Sequence, residues 1–113
     1  MAIQKYLCIH RSQPGKHEQP SPAQMQEMYA AFVAWKEKFR DNIVDMGGKL
    51  KPGGKVLTTS ATMDGPFVEV KEIVGGFMIV AAESYDRALE VVKKCPGALK
   101  PGSSVEIREI AST

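Results

Sequence analysis

Apolar and polar positions follow distinct periods along the 113 residues. Lys5 to His10 is apolar on both parities, with Leu7 and Ile9 on one face and Tyr6 and Cys8 on the other. That pattern predicts a short strand covered on both sides. Arg11 to Pro20 is polar, carries the turn signal Pro14-Gly15, and reads as a loop. Ser21-Pro22 then opens a long helix, because a serine hydroxyl accepts from a free backbone N–H and a proline at the first position loses no needed donor. Met25, Met28, Phe32, Trp35, Phe39, Ile43 and Met46 recur at spacings of three and four. They predict one apolar stripe along that helix, stopped by Gly47-Gly48.

The second half reads mainly as strands. Gly48 to Leu50 starts a short one, and Pro52-Gly53-Gly54 is a turn. Val56 to Ala61 and Phe67 to Lys71 are the expected arms of a hairpin around Met63-Asp64-Gly65-Pro66. Gly76 to Ala82 is apolar throughout, as in a central strand. Ser84 caps a second helix with Asp86 in its first turn and Tyr85, Ala88, Leu89, Val92 and Cys95 on its apolar side. Lys93 and Lys94 suit its last turn, and Pro96-Gly97 ends it. Val105 to Ile110 is a closing strand with Val105 and Ile107 on one face and Glu106 and Arg108 on the other.

This order predicts an α+β fold, the ferredoxin-like βαββαβ plan with an inserted β-hairpin, as one domain over residues 1–113. Two helices cover one face of such a sheet. The first strand and Gly76 to Ala82 are nevertheless apolar on both faces. A second copy of the chain, packed sheet to sheet in a homodimer, is the economical cover.

Composition narrows the function classes. Apolar residues make up 43%, enough for a core, and a net charge of +2 with dispersed lysines argues against a nucleic-acid partner. The apolar run Tyr6-Leu7-Cys8-Ile9 is too short for a signal core or membrane span, so the expected location is the cytoplasm, without a membrane partner. Cys8 and Cys95 form no CxxC pair, which favours reduced, packed thiols. No metal-ligand spacing, nucleotide loop or cofactor motif is present, so no metal or cofactor is expected.

The stretches Asp64-Gly65-Pro66-Phe67, Glu69, Lys71-Glu72 and Gly75-Gly76-Phe77, with Cys95-Pro96 and Val105-Glu106-Ile107-Arg108, resemble the DGPF-domain, YCII-related proteins of the dimeric α+β barrel superfamily. The resemblance runs over nearly the whole chain. It implies a homodimer whose sheets pack face to face, with clefts between sheet and helices. Relatives in the superfamily include muconolactone-isomerase-like and dehalogenating enzymes. YCII-type relatives carry a His–Asp pair, the His in an Arg-Pro-Ala-His stretch and the Asp before a helix-ending proline. Here those stretches read Ser21-Pro22-Ala23-Gln24 and Cys95-Pro96, so both members are missing. His10-Arg11-Ser12-Gln13 also departs from the Gly-Asp/Glu pattern common after the first strand.

The remaining candidate chemistry is spread over several residues. Asp64 is a candidate general base, although its carboxylate can equally cap the Gly65-Pro66 turn. Glu69 and Lys71 share a strand face and can pair or line a pocket, and Glu72 can pair with Lys71 or Arg11. His10, at a strand end, can shuttle protons near neutral pH or be merely structural. The candidate catalytic residues are therefore His10, Asp64 and Glu69, and the candidate ligand-binding residues are Lys71, Glu72, Arg11, Met28 and Phe32. The methionine and aromatic stripe can line an apolar pocket or simply pack the core. Three functions stay open: a homodimer binding a small molecule in a sheet–helix cleft near the hairpin, an isomerase- or lyase-like enzyme using carboxylate and His proton transfer, and a structural or regulatory interaction protein.

Overall fold

A computed structural model describes residues 3–12, 21–51, 53–64, 73–97 and 102–111. The elements are β1 (Gln4–Ser12), α1 (Pro22–Lys38), β2 (Ile43–Lys49), β3 (Lys55–Leu57), β4 (Thr62–Asp64), β5 (Ile73–Ala82), α2 (Tyr85–Lys93) and β6 (Ser103–Glu109). Four strands form one antiparallel sheet in the order β2-β5-β1-β6, and β3 pairs with β4 in a separate ribbon. This is the ferredoxin-like α+β arrangement with an inserted hairpin.

The central strands are the two that are apolar on both faces. Tyr6 and Cys8 of β1 stand opposite Val80 and Met78 of β5. These four are buried with Trp35, Phe39, Ala88, Val91 and Val92 beneath the helices. The Trp35 indole N–H donates to the Val91 carbonyl at 2.8 Å, which ties the two helices together without leaving a polar group unpaired. Leu7, Ile9 and Ile79 lie on the reverse face, part-buried, beside Phe77, which is 37% exposed. No described element covers that face.

Helix α1 begins as expected. Gln24 N–H donates to the Ser21 hydroxyl at 3.2 Å, and Ser21 N–H donates back to the Gln24 side chain at 2.9 Å, a reciprocal cap. It ends earlier than the apolar stripe implies. Phe39 closes it, and Ile43 and Met46 belong to β2. Asp41-Asn42 supplies the break: Asn42 accepts from Ala81 N–H and donates its side-chain amide to the Ala81 carbonyl at 2.9 Å, which starts β2 along β5. Gly47-Gly48 is therefore a strand bulge and no helix stop. Gly47 has φ +64°, and a Cβ there would lie 1.9 Å from the Phe77 carbonyl oxygen. The stripe is not buried along its length either: Met25 and Met28 are 56% and 37% exposed, because α1 leans on the body through Phe32, Trp35 and Phe39 alone.

The hairpin is also displaced. Its arms are β3 and β4, joined through Thr58, whose hydroxyl accepts from Ala61 N–H at 3.0 Å and from Ser60 N–H at 3.3 Å. A polar turn built on Thr58 reverses the chain between them, and Gly65-Pro66 lie outside the described residues. The expected second arm, Phe67 to Lys71, lies outside the described residues. In α2, Leu89 is half exposed and Val91 takes the buried position. Serine 84 caps that helix as expected, accepting from Arg87 N–H at 3.2 Å.

Candidate functional site

The pleat of β1 sorts the candidate residues. Tyr6, Cys8, His10 and Ser12 share the helix-covered face, and Leu7, Ile9 and Arg11 share the open one. The pairing slips between His10 and Arg11 because β5 carries an extra residue there: His10 faces Gly76 while Arg11 faces Val74. His10 and Arg11 are thus sequence neighbours on opposite sides of the sheet and do not converge on one ligand.

His10 stands at the end of the covered row. Tyr6 is capped by the edge of the Tyr85 ring at 4.8 Å. The partner of His10 on β6 is Val105, and its partner on β5 is Gly76, which has no side chain. The imidazole is part-buried and finds no hydrogen-bond partner among the described residues. Desolvation pushes its pKa below the ordinary value of 6.5, so the ring is neutral at pH 7. A neutral imidazole offers one donor and one acceptor to whatever enters. Ser12, on the same face and part-buried, adds a hydroxyl to this end of the sheet.

The other candidates fall elsewhere. Asp64 lies in β4, not in a turn, and its highly exposed carboxylate pairs with Lys55 directly across the ribbon. Arg11 pairs with Glu106 of β6 at 3.1 Å. Phe32 packs on Trp35 with ring centroids 5.6 Å apart, whereas Met28 stays on the exposed part of α1. Glu69, Lys71 and Glu72 lie outside the described residues. Among the described residues no three His, Cys, Asp or Glu side chains form a group able to hold a metal ion. Burial pushes the thiols of Cys8 and Cys95 up to about 11, so both are protonated at neutral pH. Gln24 is occupied in capping α1.

Two features escaped the sequence reading. The flanks of His10, Gly76 and Val105, depend on strand register, which no local pattern reports. The Arg11–Glu106 pair depends on β1 and β6 being neighbours. The alternation Glu106-Ile107-Arg108 was the available signal that a charged row lies on one face of β6.

The YCII-related domain model matches residues 4–112. The chain belongs to the YCII-related family. An uncharacterized protein of Rhizobium meliloti (strain 1021) is 33% identical over 76 residues, 57% of this chain. The match spans 61% of that relative's length. Among solved structures, 5-chloro-2-hydroxyhydroquinone dehydrochlorinase from Burkholderia phenoliruptrix AC1100, in complex with 2,5-dihydroxybenzoquinone, superposes with a TM-score of 0.49 at 22% identity. The superposition covers 96% of this chain and 95% of that one. No helix among the described residues is long and apolar enough to cross a membrane.

Proposed function

We propose that this YCII-related chain works as a single-domain homodimer in the cytoplasm and binds a small molecule at the open end of its sheet–helix layer. His10 is the polar group that receives it. The observation that carries this reading is the His10 ring: part-buried, neutral and unpartnered among the described residues, beside a glycine on β5. Pockets that orient small ligands combine apolar walls with a few such polar groups. The apolar wall here is Val105, with Phe32, Met46 and Cys95 packed on the adjoining core. The homodimer rests on the open face of Leu7, Ile9, Phe77 and Ile79, which a second sheet would bury.

A second reading, isomerase- or lyase-like proton transfer, is favoured by the same neutral imidazole, which can take a proton at pH 7. Such chemistry gains from a carboxylate that orients the ring. Asp64 is engaged by Lys55, which leaves Glu69 as the candidate acid for that role. A structural or regulatory role is the third reading and would leave His10 without a ligand.

A fragment set of small phenols and carboxylic acids, followed by imidazole NMR, tests the site. Binding should move the His10 ring resonances, and His10→Gln should weaken the same fragments by tenfold or more, the loss of about 1.4 kcal/mol of polar contact. Fragments that bind equally well to His10→Gln would refute His10 as the receiving group.

A further inference from the structure

The sulfur atoms of this chain differ widely in their access to an oxidant. Cys8 and Cys95 are free thiols. Cys8 is fully buried on β1, and Cys95 packs against the same core just past the end of α2. Each thiol is turned onto a backbone carbonyl, Cys8 onto that of Tyr6 at 3.9 Å and Cys95 onto that of Pro96 at 3.8 Å. Such a contact uses the thiol proton as its donor. Burial pushes both groups up to about 11, so that roughly one in ten thousand is a thiolate at pH 7. The thiolate is the form that attacks a peroxide, and both cysteines are therefore poor targets.

A thioether needs no deprotonation. Its lone pair is available at any neutral pH, and access decides how fast it reacts. Met78 is 3% exposed and stands opposite Cys8 in the sheet. Met46 is packed against the core from β2. Met25 and Met28 are different. They lie three residues apart on α1, so they are neighbours on one helix face, and they are 56% and 37% exposed. The next turn carries Phe32, where the helix first meets the core.

We propose that Met25 and Met28 form a site of reversible peroxide modification, oxidised to sulfoxides ahead of both thiols and of the buried Met78. In each step the methionine sulfur attacks one peroxide oxygen. The O–O bond breaks and an S–O bond forms. The departing hydroxide takes the proton of the transferred hydroxyl and leaves as water. Sulfur loses two electrons and the peroxide gains them.

The fold tolerates this change at α1 and not in the core. A sulfoxide oxygen is a strong acceptor, which water satisfies at Met25 and Met28. At Met78 it would be buried without a donor. Helix α1 also stays in place without these two side chains. Its start is held by the Ser21–Gln24 reciprocal cap, and its far half by the Trp35 bond to the Val91 carbonyl. Oxidation thus converts two turns of α1 from an apolar surface to a hydrogen-bond-accepting one while the fold stands. This inference does not depend on a ligand at His10.

The test exposes the full chain to excess hydrogen peroxide at pH 7 and follows each sulfur by digestion and tandem mass spectrometry, with circular dichroism alongside. Met25 and Met28 should each gain one oxygen at least about tenfold faster than Met78 does, and faster than Cys8 and Cys95 are lost as free thiols. The dichroism should not change as they do so. The two methionine sulfoxide reductases, one for each sulfoxide epimer, should then remove both oxygens from the folded protein with dithiothreitol as reductant. In concentrated urea the difference between Met78 and the α1 pair should vanish, because the fold sets the order. Met78 or either thiol keeping pace in the folded protein would overturn the proposal. So would an order that persists in urea, or sulfoxides at Met25 and Met28 that the reductases cannot reach.

Discussion

His10 illustrates what a residue's type conveys and what its neighbours add. Its position at the end of a strand apolar on both faces was legible in the sequence. Its environment was not, because Gly76 and Val105 come from strands far off in the chain. That environment sets its charge. Desolvation lowers the folded-state pKa from 6.5, so the unfolded chain takes up this proton first as the pH falls. The stability tied to the neutral ring is present above 6.5 and is lost as the pH falls towards the folded-state value. His10→Gln cannot take the proton. Between about pH 7.5 and about pH 5.5 the urea midpoint of the wild type should therefore fall more than that of His10→Gln. Equal falls would place the ring in bulk water. Arg11 makes the complementary case: its partner Glu106 comes from β6, ninety-five residues on, and no local pattern pointed to it.

At the scale of elements, patterns were readable wherever one period governed, as in β1, β5 and β6. The reading failed where two signals competed. The stripe from Met25 to Met46 keeps helical spacing past Phe39, yet Asp41-Asn42 diverts the chain and the β-branched pair Ile43-Val44 suits a strand. Helical spacing alone cannot separate a helix from a helix followed by a bulged strand. The bulge itself is testable. Gly47→Ala would drive a methyl into the Phe77 carbonyl at a positive φ, and should cost roughly 2–3 kcal/mol in denaturant unfolding. Tolerance of alanine there would show that β2 does not approach β5 in this way. The helix pair is tied by the Trp35 indole. Trp35→Phe removes the donor and leaves the buried Val91 carbonyl unpaired, for a loss of about 1–3 kcal/mol. A change within experimental error would mean that water replaces the bond.

At the scale of the whole molecule, sequence and structure meet on the sheet. Residues apolar on both faces of β1 and β5 predicted a second layer of cover, and the fold leaves Leu7, Ile9, Phe77 and Ile79 on a face without helices. The β2-β5-β1-β6 order is the one the ferredoxin-like plan carries; what the patterns did not show is that Asp64 belongs to a separate two-stranded ribbon. Adjacent residues of β5 now carry opposite expectations. Val80 is fully buried under the helices, and Ile79 lies on the open face. The most direct measurement of the account is the mass in solution of Val80→Lys and Ile79→Lys, with circular dichroism alongside. Val80→Lys should fail to fold, since an unpaired charge has no place in that core. Ile79→Lys should keep its secondary structure and lose half the wild-type mass. An Ile79→Lys protein with unchanged mass, or a folded Val80→Lys, would contradict the assignment of the two faces on which the account rests.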